Sequence, residues 1–349
     1  MRSKTDQKPT QPTIHDVARL AGVSTATVSR VLANYSAVSE KTRQRVLDAI
    51  RELNYQVNRT ASNLRKSKFS KIGVMITDIQ NPFFGTVVRG IEKVTIESDY
   101  TIILGNSDED PVREKKLITM LLEEGVAGII FVPTRADCEI YEVLSNSSTP
   151  FVVIDRKIKQ CDADSVSVDG HAGSASAVEH LIELGHKRIA FIGGLEHLSV
   201  MQERENGFLE TVQKHGLPVL DEYLRHGDNR QDGGYREMKA LLTLEQPPSA
   251  VLIANNLMTL GGLKAIHESG IQIPQQISLI GFDDMDWAPS LQPPLSVVAQ
   301  PAFEMGEKAA LALLERIREP GVPPKKILLK TKLILRDSCR SLIDQANNP

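Results

Sequence analysis

The stretch from residue 13 to residue 55 constrains this 349-residue chain more than any other segment. Thr13 and Asp16 form the pattern of a capping box, and an apolar face follows, which predicts a short first helix. Gly22 tolerates a positive φ and predicts a tight turn. A second helix is expected over residues 25–32, and a third with the same kind of polar start further on. Two short helices across a turn, with a third behind them, predict a helix-turn-helix.

The first half of the second helix carries small and hydrogen-bonding side chains, which allow a helix to enter the DNA major groove. Thr25 and Ala26 are placed at its leading end, where base edges and thymine methyl groups are reached. Arg30 can reach a guanine edge or a phosphate, and serine or threonine hydroxyls suit phosphates. The alternative is a small surface bundle with ordinary caps. The DNA-binding residues predicted in this headpiece are Thr13, Ser24, Thr25, Ala26, Thr27, Ser29, Arg30 and Asn34.

The net charge of −3 conceals an asymmetry between the two ends of the chain. Residues 1–71 contain 14 basic and 5 acidic side chains, a balance of +9, whereas the remainder has 27 basic and 39 acidic, a balance of −12. A charge run is often only a solvated face. Because the basic end coincides with the helix-turn-helix, we predict that it binds nucleic acid.

Cysteine usage and hydropathy exclude several classes of protein. Cys138, Cys161 and Cys339 lie far apart, so neither a disulfide framework nor a metal cluster is indicated. The polar start is not a secretory signal, and the longest apolar runs have the length of strands. We expect a cytoplasmic protein without a membrane span, metal or cofactor.

Beyond Lys71, apolar runs of strand length alternate with helical patterns up to about residue 335. Such alternation predicts an α/β core with parallel sheets covered by helices. Ten or so strands can form one wide sheet or two smaller ones, and periodicity alone leaves this open. The strand-like runs are 72–77, 101–104, 128–132, 151–154, 165–168, 188–192, 250–253, 277–282, 296–298 and 327–335.

Polar and aromatic residues follow many of these runs, where ligands bind in parallel sheets. A carboxylate such as Asp283 can accept hydrogen bonds from two neighbouring hydroxyls, and Arg204 offers a planar fork. Phe83 and Phe84, with Trp287, can cover the apolar face of a sugar or a base. Structural roles are the alternative: Asp78 and Asn256 as helix caps, Asp284 as a structural acid and Phe84 as a core residue.

Three segments resemble the lactose-repressor (LacI) family of bacterial transcription regulators: TIHDVARLAGVSTATVSRVLAN (13–34), VSEKTR (38–43) and LNYQVNRTASNL (53–64). The resemblance continues to about residue 338. It implies an all-α helix-turn-helix headpiece joined to an α/β core of two Rossmann-like lobes, similar to a periplasmic sugar-binding protein. The implied organisation is a disordered N-terminus (1–12), the headpiece (13–57), a hinge helix and linker (58–70), a core (71–340) and a tail (341–349). We expect the N-lobe at about 71–170 and 297–325, and the C-lobe at about 171–296 and 326–340.

The resemblance also implies roles for the hinge segment. In the family this segment folds as a helix when two subunits meet at the DNA minor groove, and Leu64 matches the apolar wedge that opens a base step. About two turns are too short to hold a helix alone, so a frayed linker is the alternative. The hinge residues predicted to bind DNA are Asn58, Arg59, Ala61 and Leu64.

The family's effector contacts match positions in the strand-end set. Two departures stand out: Asn255-Asn256 replaces the usual Asn-Asp, and Asn229 stands where some members have an aromatic residue. The stretch 283–296 leans toward ribose- and purine-repressor-like relatives. The predicted effector-binding residues are Phe83, Phe84, Asp155, Arg204, Asn229, Asn255, Asp283, Trp287 and Gln300.

The function implied is a repressor that binds a pseudo-palindromic operator as a homodimer. A small molecule, a sugar or a related compound, would control it from the cleft; a purine-type or sugar-phosphate effector is the alternative. An enzyme is disfavoured because G-x-G-x-x-G, P-loop and G-x-S-x-G motifs are absent. A pure binding or transport protein would leave the headpiece unexplained.

Overall fold

A computed structural model describes residues 12–32, 38–53, 71–136, 139–159 and 162–343 of the chain. The chain forms two compact units, Met1–Lys68 and Phe69–Pro349. Within the described residues, no helix is both long and apolar enough to cross a membrane.

Three helices form the described part of the first unit. The first helix begins at the predicted capping box, in which Thr13 N donates to Asp16 Oδ2 at 2.9 Å. It ends at Gly22, whose φ of 61° lies in the left-handed region, as the predicted turn requires. Apolar side chains from all three helices, Val17, Val28 and Val46 among them, form a buried core. The helices are α1 (Ile14–Ala21), α2 (Thr25–Leu32) and α3 (Glu40–Glu52).

Strands and helices alternate through the described part of the second unit, which confirms the predicted α/β class. The strands are β1 (Lys71–Ile76), β2 (Thr101–Asn106), β3 (Gly128–Phe131), β4 (Phe151–Ile154), β5 (Asp164–Val168), β6 (Ile189–Gly193), β7 (Leu224–His226), β8 (Ala250–Ile253), β9 (Ser278–Phe282), β10 (Ser296–Ala299), β11 (Lys326–Leu329) and β12 (Lys332–Ile334). The helices are α4 (Pro82–Glu97), α5 (Pro111–Glu123), α6 (Glu139–Ser145), α7 (Gly170–Glu183), α8 (Ser199–Lys214), α9 (Gln231–Leu242), α10 (Asn256–Glu268) and α11 (Ala302–Arg318).

Two six-stranded sheets divide this unit into two lobes. The N-lobe sheet has the order β11-β5-β4-β3-β1-β2 and is parallel throughout. The C-lobe sheet has the order β12-β10-β9-β8-β6-β7, with β12 alone antiparallel. The central strands, β1, β3 and β4 in one sheet and β6, β8 and β9 in the other, are mostly buried apolar runs because helices cover both faces of such sheets, whereas the edge strands β2 and β7 have no fully buried residue.

The approximate lobe boundaries agree with α11, which packs in the N-lobe core, and with β12 in the C-lobe sheet, but each of the last two crossings is displaced by one strand. Residues 297–325 were assigned to the N-lobe, but β10 pairs with β9 in the C-lobe sheet. Residues 326–340 were assigned to the C-lobe, but β11 pairs with β5 in the N-lobe sheet. The run 327–335 is therefore two strands in different sheets. Its periodicity shows that it is extended, whereas the sheet that supplies its partner depends on tertiary packing.

Candidate nucleic-acid interface and ligand cleft

The second helix of the headpiece presents its predicted DNA contacts on the side away from the headpiece core. Ala26 and Arg30 are exposed, and Thr25 and Ser29 are half-buried. Val28 on the opposite side is fully buried. Because the outer side combines small and polar groups with one cation, α2 can lie in a major groove without steric conflict.

Two of the predicted hydroxyl contacts also hold the helix start. Ser24 Oγ accepts a hydrogen bond from Thr27 N at 3.2 Å, and the Ser24 and Thr27 hydroxyl oxygens lie 2.9 Å apart. Ser24 therefore caps α2, as predicted, and remains exposed. Thr13 is exposed at the start of α1.

An arginine that the sequence analysis did not single out holds the turn between the first two helices. Arg45 on α3 donates from Nε to Ala21 O at 3.1 Å and from Nη2 to Gly22 O at 3.1 Å, with a further short contact from Nη2 to Ala21 O. These carbonyls end α1 and have no partner within that helix. The third helix thereby fixes the angle between the other two.

Five predicted DNA-binding residues lie outside the described residues, and their roles stay predictions. They are Asn34, Asn58, Arg59, Ala61 and Leu64.

In the second unit, side chains from both lobes surround a cavity of about 50 Å³, room for a few water molecules. Trp287 is not part of its lining, because the chain after β9 turns away and packs this ring half-buried against the C-lobe core. The other predicted effector residues line the cavity: Phe83, Phe84, Asp155, Arg204, Asn229, Asn255, Asp283 and Gln300.

Four polar residues of the lining have positive φ angles, between 59° and 71°. Glu109, Asp155, Asn229 and Asp283 follow β2, β4, β7 and β9, and each turns its side chain toward the cleft at the point where its strand ends. This conformation is disfavoured for residues other than glycine, and it concentrates at sites where the surrounding structure enforces it.

A buried ion pair forms one wall of the cleft. Arg156 makes a bidentate contact with Glu109, from Nη1 to Oε2 at 2.7 Å and from Nη2 to Oε1 at 2.5 Å. Burial alone would raise the pKa of Glu109, but the hydrogen bonds and charge of Arg156 lower it below its ordinary value. Burial would lower the pKa of Arg156, and Glu109 outweighs that effect and raises it. Each ionised group is therefore stabilised by the opposite charge of its partner.

Arg204 is held differently, since it makes no ion pair with another of the described residues. Its Nη1 donates to Ala254 O, and its guanidinium carbon lies 4.1 Å from the centre of the Phe282 ring. Its buried Nε has no hydrogen-bond partner among the described residues. Burial lowers the pKa of Arg204. The side chain is therefore positioned by its stem and ring contact, with donors left for a ligand.

Two carboxylates face the cavity from opposite lobes. Burial raises the pKa of both Asp155 and Asp283, against the opposing effect of nearby arginines. Asp283 accepts hydrogen bonds from Gln300 Nε2 and from the backbone of Asn256. Asp284, treated in the sequence analysis as a possible structural acid, accepts with both carboxylate oxygens from Nη2 of Arg336.

Asparagines connect the cleft to the helices and join the lobes. Asn255 caps α10 by accepting from Met258 N at 2.8 Å, and its Nδ2 donates to Asn229 O at 2.9 Å. Asn256 does not cap α10. Its Nδ2 donates across the cleft to Asn81 Oδ1 at 2.8 Å. The departure from Asn-Asp thus supplies a neutral bridge between the lobes.

Ion pairs at the rim also join the lobes. Arg230 Nη2 lies 3.0 Å from Asp108 Oδ1, Lys157 Nζ pairs with Glu203, and Lys157 N donates to Ser199 Oγ at 3.0 Å. Together with the small cavity, these contacts describe a closed cleft, so a ligand larger than a few waters requires the lobes to separate.

Besides the eight predicted contacts, the lining includes four other residues that follow strands, Asp78, Asn81, Arg156 and Asp228, and four that the sequence analysis missed. Glu109 lies in an acidic loop and Arg230 in a polar loop, and the sequences of both loops are typical of solvent-exposed turns. Val200 and Met201 follow a helical apolar pattern and resemble core residues. Glu109 differs from the other acids of its loop by its ion pair with Arg156. The two residues are 47 positions apart, so the local sequence gives no sign of this contact.

No reactive centre accompanies this cleft in the part of the chain that the structure describes. Within those residues, no group of three or more His, Cys, Asp or Glu side chains is placed to hold a metal ion. Burial raises the pKa of the Cys339 thiol to about 11, so it is not a nucleophile at neutral pH.

Comparisons with known proteins agree with both units. Residues 13–58 match the family described as bacterial regulatory proteins, lacI family, and residues 178–339 match a periplasmic binding protein-like domain. The HTH-type transcriptional repressor CytR of Escherichia coli K12 is 33% identical over 339 residues, which cover 97% of this chain and 99% of CytR. The lac repressor dimer bound to operator and the anti-inducer ONPF is 28% identical with a TM-score of 0.85 over 95% of this chain and all of that one. The regulator CelR in complex with cellobiose is 29% identical with a TM-score of 0.73, over 94% and 99% of the two chains.

Proposed function

This chain belongs to the lacI family of bacterial regulatory proteins and is a DNA-binding transcriptional repressor rather than an enzyme; we propose that it acts as a homodimer on a pseudo-palindromic operator in the cytoplasm, under control of a small molecule in the inter-lobe cleft. The observation that carries the proposal is the coexistence of a groove-sized helix in one unit and a closed two-lobe cleft in the other.

The outer side of α2 is proposed to contact the operator. Arg30→Ala should weaken binding by about 1–3 kcal/mol, because a base or phosphate contact is lost. Arg51→Ala is the matched control, since Arg51 is an exposed arginine paired with Asp48 on α3. Fluorescence anisotropy with a labelled operator measures both. Equal losses in the two variants would indicate only a general charge effect.

Leu64 is proposed to open a base step at the centre of the operator, as the family implies. Leu64→Ala should then lose DNA bending and specificity while non-specific binding is largely kept. Gel-shift of circularly permuted operator fragments reports the bend. Full bending in the variant would reject the wedge role.

Dimerisation is supported by an apolar surface on the N-lobe. Val112 and Met120 lie two turns apart on α5, and Val112 is 76% exposed. Leu104 is exposed on β2, the edge strand of the sheet. A contiguous exposed apolar patch marks an interaction site, so these side chains are the candidates for a dimer contact, and a similar protein, the lac repressor, is a dimer in its operator complex. Val112→Asp should shift the protein toward monomer in analytical ultracentrifugation.

The effector is proposed to be a sugar or a related compound, with a purine-type or sugar-phosphate compound as the alternative. The eight predicted residues that line the cavity supply acceptors, a guanidinium fork and two aromatic rings. A ligand at ~100 times its Kd stabilises the folded state by about 2.7 kcal/mol, which thermal unfolding detects. Adding the stabilising compound to the operator-binding assay then shows whether it strengthens or weakens DNA binding. The same coupling free energy changes the affinity for DNA and the affinity for the ligand.

A further inference from the structure

We propose that the N-lobe carries a second ligand site, on the face of its sheet formed by β5 and β11, that the site takes a small organic carboxylate with an apolar body, and that its occupation weakens the contact of Lys157 with the C-lobe. This site is separate from the inter-lobe cleft, and ligand binding there does not depend on the repressor function.

The helices of the N-lobe leave one face of β5 uncovered. Val166 and Val168 point to the face that α11 covers and belong to the buried apolar cluster around that helix. The alternate residues Ser165 and Ser167 are only half-buried. On their face, the apolar cluster beneath α5 and α6 contains Val153 of β4 but no described residue of β5 or β11. The serines therefore lie on a part of the sheet that has no helix packed against it.

A cavity of about 260 Å³ lies on this uncovered face. The strand register places Val153, Ser165 and Lys326 side by side on β4, β5 and β11, and it places Ser167 beside Leu328. Neighbouring strands lie about 4.8 Å apart, so the three strands span about 10 Å. The cavity is larger than the one of about 50 Å³ between the lobes and approaches the size of small-molecule sites.

The lining of this cavity combines an apolar floor with positive charge. Val153 and Ile158 are buried in the floor, and Leu328 is 57% exposed beside them. Lys157 and Lys326 are the charged groups among the described residues that line the cavity, and no carboxylate accompanies them there. An anion is therefore attracted, and an apolar body attached to it covers the floor and the side chain of Leu328.

Hydrogen-bond donors are also available on this face. The hydroxyls of Ser165 and Ser167 and the ammonium group of Lys326 make no side-chain hydrogen bond with another described residue. All three groups can donate to a carboxylate, and a hydrogen bond from an ammonium to a carboxylate is among the stronger ones. A carboxylate head with an aliphatic tail matches both the donors and the apolar floor.

Lys157 connects this site to the closure of the lobes. Its side chain lines the cavity, and its Nζ makes an ion pair with Glu203 on α8 of the C-lobe. Its backbone N also donates to Ser199 Oγ of the C-lobe at 3.0 Å. A carboxylate in the cavity competes with Glu203 for the ammonium group. Ligand binding and the ion pair at the rim therefore oppose each other.

The first experiment measures ligand binding to the full chain by isothermal titration calorimetry. The probes are octanoate, butyrate, which has the same charge and a shorter apolar body, and octylamine, which is protonated at pH 7 and has the opposite charge. We expect saturable binding of octanoate and much weaker binding of the other two. Equal binding of octylamine would indicate unselective apolar adsorption, and either that result or the absence of octanoate binding overturns the proposal.

The second experiment places the octanoate on the N-lobe sheet. Lys326→Glu should weaken octanoate binding roughly tenfold or more, because an attraction becomes a repulsion. Lys330→Glu is the matched control, since Lys330 is exposed just after β11 and does not line the cavity. Ser167→Phe should abolish binding by filling the cavity. Equal losses in the two lysine variants, or full binding in Ser167→Phe, would mean that octanoate binds elsewhere and would overturn the assigned site.

The third experiment tests the competition for Lys157. Glu203→Gln should strengthen octanoate binding by about twofold to fivefold, the range expected when an exposed ion pair no longer competes. Glu210→Gln on the same helix is the control, because Glu210 pairs with His171 and should leave binding unchanged. Unchanged binding in Glu203→Gln overturns the link to lobe closure. A change of oligomeric state in Lys326→Glu or Ser167→Phe, measured by analytical ultracentrifugation, would identify the occupant as a second copy of the chain and would also overturn the proposal.

Discussion

The bridge between Asn256 and Asn81 should tie the lobes together by a measurable free energy. Asn256 is 1% exposed, and its Nδ2 donates to Asn81 Oδ1 at 2.8 Å across the cleft. A hydrogen bond between neutral groups contributes about 0.5–1.5 kcal/mol net. Asn81 also caps α4 by accepting from Phe83 N at 3.0 Å, which adds about 1 kcal/mol to the cost of Asn81→Ala alone. The loss of stability in Asn81→Ala alone therefore overestimates the free energy that the bridge contributes.

A double-mutant cycle removes the contribution of the cap. We expect Asn81→Ala and Asn256→Ala to be non-additive by about 0.5–1.5 kcal/mol in urea unfolding of the full chain. The control cycle pairs Asn81→Ala with Asn206→Ala, because Asn206 is exposed on α8, and it should be additive. A coupling no larger than about 0.3 kcal/mol in the first cycle would refute the bridge. Under the proposed coupling between the cleft and DNA binding, operator affinity should change by up to about tenfold when the bridge is removed.

Three further substitutions test the packing, the turn and the response to pH. Gly306→Ala should destabilise the core by roughly 1–3 kcal/mol or more in urea unfolding, because a Cβ there would lie 2.0 Å from Val87 O where α4 and α11 cross; Gly85→Ala, with nothing within 4 Å, should be neutral or stabilising. Arg45→Ala should lower the melting point of the headpiece and weaken operator binding, since the contacts to the turn carbonyls are lost; intact binding would show that the turn holds without them. Burial lowers the pKa of His186 to about 4, below its ordinary 6.5, so its contribution to stability is complete above pH 6.5 and is lost as the pH falls toward 4. His186→Gln should flatten that dependence of the urea midpoint, and an unchanged slope would contradict the assignment.

Local interactions made the headpiece predictable. The capping box at Thr13, the left-handed Gly22 and the Ser24 cap join residues three or four apart, so the sequence pattern contains both partners. The alternation of strands and helices in the core is similarly a matter of neighbouring residues. Parallel strands end at the same edge of a sheet, which predicts that the polar residues after the strands gather there. That the edges of two sheets face one cleft was implied by the family resemblance.

The sequence by itself determined most of the helices and strands, although it missed the short β7 and joined β11 with β12. It also determined which end of the chain is basic and which polar residues follow the strands. The tertiary structure alone decided which sheet β10 and β11 join, that Trp287 turns away from the cleft, that Glu109 pairs with Arg156, and that Asn256 reaches Asn81 across 175 residues. These features depend on partners distant in sequence, whose choice follows from the packing of whole lobes and leaves no periodic signal in the chain.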